Sequence, residues 1–243
     1  MRKLIIDGLV IFISIFASFS VENYREAASE KSVLNDAVIT LGEEMVSNIE
    51  YTKEHLKQVK NMNYLNNEMV KNFKNISPKD IFDIHSNNPF IHNFNIDGKI
   101  SYVKKYNEES LFLLLVSWNA WEPERVFFKS MLNSGKLLEI KNKKLRKEIE
   151  SIYTKQQERV NGMALATKNN ADLIASWLLN TQNKYNYDIS NNETFNKLRD
   201  QKLKNLLKVK ASMLELRIND LENYLQAIQN VVLLISSEYK KLD

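Results

Sequence analysis

Histidine is the side chain most suited to moving a proton or holding a metal near neutral pH, and this chain has three: His55, His85 and His92. His85 and His92, with Asp80 and Asp83, form the only cluster that could hold a metal. Their spacing matches no zinc signature. The plainer reading is a pair of surface histidines in a polar loop, and no metal or other cofactor is expected. Cysteine is absent, which removes thiolate nucleophiles, disulfides and Cys-based zinc sites together. The carboxylate pairs Glu43-Glu44 and Glu108-Glu109 point to different sides of a helix, and the second pair complements a helix dipole in its first turn. Trp118, Trp121, Phe127 and Phe128 could line an aromatic pocket, although a stripe at this spacing more often packs as core. There is neither a glycine-rich phosphate loop nor a glycine-framed serine elbow. These residues point to no catalytic site, and the chain is not expected to be an enzyme.

Asp7 is a different kind of candidate. It is the one charge in an apolar run over residues 4–21, which as a helix reaches about 27 Å, just enough for a hydrocarbon core. An ionisable group within a span is a functional candidate by default, and stator subunits of proton-driven motors carry an Asp near the start of a single span. The plainer reading puts Asp7 one turn in, in reach of headgroup water or Lys3. Arg2, Lys3 and the terminal amine precede the run, against Arg25 and Lys31 after it. The positive-inside rule therefore places the N-terminus in the cytoplasm and the bulk of the chain outside, single-pass in the inner (plasma) membrane. A cleaved signal peptide is the rival reading, with Ser18 and Ser20 as the cleavage site. Against it, Asp7 interrupts the apolar stretch and helical patterning continues past Ser20.

The elements that must position these residues are helical. With 5 Gly and 3 Pro in 243 residues, the chain favours long helices. Its +4 net charge comes from 34 basic and 30 acidic residues of interspersed sign. That suits a solvated helix surface and gives no basic face for nucleic acid; the run Lys202, Lys204, Lys208 and Lys210 reads the same way. From Glu22 to about Lys74 one helix is expected. Its heptad seam is Leu34, Val38, Leu41, Met45, Val59, Met62, Met69 and Phe73, with Asn48, Thr52, His55 and Asn66 in the same seam and Ile49 and Leu56 beside it. Ser77 and Pro78 open a short helix. Phe94, Ile96, Ile100 and Tyr102 flank Asp97-Gly98 as a possible hairpin. Asn107 caps a helix through residues 111–118, and another runs from about Glu122 to Gly135, its C′ residue. Asn142 caps a long helix to about Leu179, with Leu145, Ile149, Ile152, Val160, Met163, Ala166, Ile174 and Trp177 on its apolar face. After a polar loop over 180–190, Ser190 and Glu193 form a capping box. That box opens a last helix to about Lys240, carrying Leu203, Leu207, Leu214, Leu221, Leu225, Ile228, Leu233 and Ile235. The expected fold is all-α. Residues 1–21 form a cytoplasmic tip and transmembrane anchor that continues into an elongated bundle of three long helices over 22–243, with short helices and loops at 76–141.

Several short motifs fall in a recognisable order. Asp7 begins the apolar run, and Asn23-Tyr24-Arg25-Glu26 forms the junction after it. Trp118 and Trp121 mark the middle, followed by the turn Ser134-Gly135-Lys136-Leu137-Leu138. Asn142-Lys143-Lys144-Leu145-Arg146, Ile152-Tyr153 and Glu222-Asn223-Tyr224-Leu225 complete the series. In these features the chain resembles a bacterial family of membrane-anchored proteins of unknown function, whose members usually have Trp where Tyr24 stands. The resemblance implies an inner-membrane anchor and supplies no activity. The expected role is a non-enzymatic scaffold or sensor-like binding module of the cell envelope. It would hold the bilayer through residues 4–21 and contact protein partners or a second copy of itself. The alternatives are an ion-coupled accessory subunit using Asp7 and an enzyme with an unrecognised site around His85 and His92.

Overall fold

The computed structural model describes the backbone of residues 2–94, 100–185 and 192–239, and the side chains of residues 13–93, 100–107, 109–183 and 195–239. Helix α1 (Arg2–Lys71) is one unbroken helix. Its seam is buried as the heptads require: Val38, Leu41, Met45, Val59, Met62, Met69 and Phe73 are all core. Asn48, Thr52, His55 and Asn66 are buried in the same seam. The expectation of a membrane span at 4–21 meets a limit here. Among the described residues no helix is long and apolar enough to cross a membrane. Residues 4–12 of that run, Asp7 among them, lie outside the described side chains. The remaining residues 13–21 reach only about 14 Å.

Ser77 caps α2 (Pro78–Asn87) in a capping box with Asp80, with Pro78 in the first turn. A two-stranded antiparallel ribbon follows, β1 (His92–Phe94) with β2 (Ile100–Tyr102), in the register Phe94 opposite Ile100. The turn expected at Asp97-Gly98 lies outside the described residues. Asn107 caps α3 (Glu108–Val116) through Ser110. That helix stops two residues short of Trp118. Helix α4 (Val126–Asn133) begins four residues after the expected Glu122. Gly135 adopts φ +77°, the left-handed conformation expected of a C′ glycine, and leads into α5 (Lys136–Glu139).

Asn142 accepts from the amides of Lys144 and Leu145 to cap α6 (Lys143–Ser151). The helix continues through a π-turn (Ile152–Gln156) into α7 (Gln157–Tyr185). A π-turn holds one residue more than an α-turn, so it rotates every later side chain about the axis. The buried face after the turn is therefore Val160, Ala164, Thr167, Ala171, Ile174 and Leu178. Met163, Ala166 and Trp177, expected there, are only half-buried.

The closing helix is also divided. α8 (Asn192–Lys197) ends before Asp200, whose side chain accepts from Leu203 N to cap α9 (Gln201–Glu238). Ser190 of the expected capping box lies outside the described residues. The α9 seam runs Leu203, Leu207, Lys210, Leu214, Arg217, Leu221, Tyr224, Ile228, Val231, Ile235, all buried. Leu233, expected in it, is 66% exposed, because it falls two residues out of phase. The described residues thus form a mostly helical bundle in which α9 packs along α1 and α7. Near its end α9 approaches α1 so closely that a Cβ on Gly42 would sit 3.2 Å from Ile235 Cγ2.

Candidate functional site

The polar residues of the α1 seam face an irregular stretch, residues 117–125, that crosses the bundle between α3 and α4. Extended backbone inside a bundle leaves amides and carbonyls to satisfy, and α1 supplies the partners. Asn48 accepts from Glu124 N at 2.7 Å and donates to Glu124 O at 2.9 Å. Thr52 accepts from the indole of the buried Trp121 at 3.2 Å, and the Tyr51 hydroxyl accepts from Glu122 N at 2.9 Å. Asn119, with φ +47°, donates to Gln58 Oε1 and to Phe90 O, both at 3.0 Å.

The two helix ends flanking this strap are matched by buried charges of the correct sign. The first turn of α4 has no side-chain cap of its own. Instead, Glu44 reaches across from α1 and accepts from Phe127 N at 2.6 Å and Phe128 N at 3.3 Å. A carboxylate at a helix N-terminus meets both free amides and the positive end of the dipole. Glu44 also accepts from the hydroxyl of Tyr153 in the π-turn at 2.7 Å. Burial and this carboxylate raise the Tyr153 pKa strongly. Tyr153 in turn stacks on Phe128 with centroids 4.1 Å apart. These contacts explain why α4 starts late: its first turn forms where Glu44 can reach it. Glu44→Gln keeps the shape but removes the charge and half of the acceptor capacity. It should cost about 1–2 kcal/mol and speed amide exchange at Phe127 and Phe128 selectively. Unchanged exchange at those two amides would show that Glu44 does not cap α4.

At the other end the charges are positive. Lys210 and Arg217 sit two turns apart in the α9 seam, both wholly buried. The Lys210 ammonium donates to Leu115 O at 2.7 Å, an orphan carbonyl in the last turn of α3. Arg217 donates to the carbonyls of Trp118 and Asn119 and, at 2.8 Å, to His55 Nε2. His55 Nε2 is therefore the unprotonated nitrogen and its proton sits on Nδ1. Desolvation, together with the Arg217 charge, lowers the His55 pKa to about 3. Desolvation lowers Lys210 to about 7 and Arg217 to about 10. Among the described residues neither cation has a carboxylate partner. Lys210, expected in a solvated basic run, is instead the most deeply committed lysine of the bundle. Its heptad phase with Leu203, Leu207 and Leu214 is the signal that identifies it.

Trp118 and Trp121 come together and line a cavity of about 350 Å³ with Pro123, Arg125 and Leu165. Phe127 and Phe128 do not join them; Phe128 packs on Tyr153 instead. His85 is buried, with its Nε2 accepting from Phe90 N and Ile91 N, each at 3.1 Å, and its Nδ1 donating to the Tyr106 hydroxyl at 2.7 Å. Burial lowers its pKa to about 4. Both ring nitrogens are thus spent on holding the chain after α2, which corrects the reading of His85 as a surface residue. Asp80 is engaged by Ser77 and Asp83 by Lys79. Among the described residues no group of three or more such side chains could hold a metal.

A small, partly open cavity lies beside the strap. Tyr51, His55, Gln58, His92, Ile100, Asn119, Ala120 and Glu122 line a cavity of about 190 Å³. His92 donates to Phe90 O at 3.2 Å and packs edge-on to Tyr102, which hydrogen-bonds to Glu54. Comparison with protein-family models, curated proteins and solved structures finds no match.

Proposed function

We propose that this chain is a membrane-tethered, non-catalytic helical module of the cell envelope, a scaffold or sensor-like binding domain. Residues 4–21 are the anchor, the N-terminus is cytoplasmic and the bundle lies outside. The observation that carries this reading is the exposed apolar flank of α1. Ile13, Ile15, Phe16, Phe19 and Val21 are each at least 51% exposed along one continuous helix. Apolar surface of that extent calls for lipid or a protein partner to cover it. The serines in the run do not oppose lipid contact, because Ser18 and Ser20 donate to the carbonyls of Ser14 and Phe16 one turn back. The same helix continues into the bundle seam without a break, so the anchor and the seam residues that hold the strap belong to one element.

The full chain should remain in the membrane pellet after alkaline carbonate extraction. Ile13→Asp combined with Phe16→Asp places two charges toward the middle of the span, at roughly 2.5–3.5 kcal/mol each near its centre, and should release the chain. Wild-type protein recovered in the soluble fraction would overturn the proposal. Ser29→Cys and Ser237→Cys, both at exposed positions, then report orientation. A membrane-impermeant thiol reagent should label both in cells with a permeabilised outer membrane. Labelling only after lysis would reverse the assigned topology.

A further inference from the structure

We propose that the 190 Å³ cavity beside the strap binds a small amino acid, with the carboxylate held by His55 and Tyr51 and the ammonium by Glu122. The space is that of about six waters, which suits a molecule of only a few carbons. Two hydrogen-bond donors belong to its wall. His55 has its Nε2 committed to Arg217, so Nδ1 carries the proton, and among the described residues no acceptor takes it. The Tyr51 hydroxyl receives Glu122 N–H through its lone pair, which leaves its own proton to donate. Tyr51 and His55 lie roughly parallel, with ring centroids 6.1 Å apart, so both donors come from the same side of α1, one turn apart.

Charge decides what those donors accept. The Arg217 guanidinium stands directly behind His55, is wholly buried, and has carbonyls rather than a carboxylate as partners. An uncompensated cation in a low-dielectric interior projects a positive potential into an adjacent cavity, which favours an anionic group against His55. The carboxylate of Glu54 is drawn off by Tyr102. That of Glu122, on an exposed strap residue lining the cavity, supplies the opposite charge and stands near enough to Tyr51 to help raise its hydroxyl pKa. A donor pair backed by a cation, with a carboxylate beside it in the same small cavity, can meet both charges of a zwitterion whose carboxylate and ammonium lie only a few bonds apart. Asn119 forms part of the strap wall with φ +47°, a conformation uncommon outside glycine. It is held there by Gln58 and Phe90 O, which fixes the strap around the space before a ligand enters.

The test is calorimetric titration of the detergent-solubilised full chain with glycine, L-alanine, acetate and acetamide. Glycine or alanine should bind saturably at millimolar concentration or below, acetate more weakly, and acetamide, which lacks both charges, not measurably. Glu122→Gln should weaken the amino acids about tenfold and leave acetate unchanged. Ala120→Leu, which fills the cavity from an exposed strap position without touching the buried hydrogen bonds, should abolish binding while preserving the thermal transition. The proposal is overturned if neither amino acid binds saturably, if acetamide binds as tightly, or if Ala120→Leu leaves binding intact. None of these readouts depends on the membrane tether, so the two proposals stand or fall separately.

Discussion

Arg217→Met should destabilise the bundle by about 3–5 kcal/mol through the buried acceptors it leaves unsatisfied, a large part of the roughly 5–15 kcal/mol that holds a typical domain folded. Methionine matches the volume of the arginine stem, so packing is nearly conserved. What disappears is the donor set for three buried acceptors: Trp118 O, Asn119 O and His55 Nε2. Each is left dry, and an unsatisfied buried polar group costs about 1–3 kcal/mol. Arg217→Lys offers a point charge in place of a fork and cannot reach all three, so it should fall between wild type and methionine. Urea denaturation of the three proteins measures the series. A loss below 1 kcal/mol for Arg217→Met would mean that water or a shift of the strap replaces the guanidinium easily. In that case the strap does not depend on Arg217 to hold it against α9.

The second large effect is on pH. His55 and His85 are held neutral in the fold, with pKa values lowered to about 3 and about 4, while the unfolded chain protonates near 6.5. Below 6.5 the unfolded state therefore binds more protons, and stability falls as pH falls. At pH 5 the loss is about 2 kcal/mol from each, because both folded pKa values lie below that pH. Lys210 acts at the other end of the range. Its pKa is lowered to about 7 against an ordinary 10.5, so the unfolded chain again binds the extra proton, now between pH 7 and 10.5. Stability should rise by about 2 kcal/mol between pH 7 and 9. The rise should stop near pH 10, where the tyrosines whose pKa values burial raises begin to ionise only in the unfolded chain. The expected curve is steep on the acid side, with a maximum well above neutrality. Chemical denaturation at a series of pH values measures it. Lys210→Met should flatten the alkaline slope and leave the acid limb alone. A flat profile from pH 5 to 9 would contradict the placement of all three groups.

The two effects share a cause. The long helices pack through apolar seams, but a strap of non-helical backbone runs between them, and its hydrogen bonds must be met inside the bundle. Glu44 faces the N-terminus of α4; Lys210 and Arg217 face the C-terminal end of α3 and the carbonyls after it. Each buried charge is opposed by a helix end of complementary sign rather than by a counter-ion. Desolvation is thus offset by fixed dipoles, and the protein keeps one buried guanidinium, that of Arg217, behind the His55 wall of the small cavity.

The sequence by itself determined what depends on near neighbours along the chain. The α1 heptads, the caps at Ser77, Asn107 and Asn142 and the left-handed Gly135 all rest on contacts three or four residues apart, and a reader of residue order can find them. The tertiary structure alone decided the meaning of the polar seam residues. Asn48, Thr52 and His55 disrupt a clean coiled-coil pattern, yet their partners lie 76, 69 and 162 residues away. Nothing local encodes such a pairing. The same holds for the late start of α4, set by a carboxylate 83 residues earlier, and for the π-turn that rotates the α7 face by one residue. In each case periodicity states that a side chain points inward; only the packed fold states which backbone group it meets there, because hydrogen bonds that close long loops leave no period in the sequence.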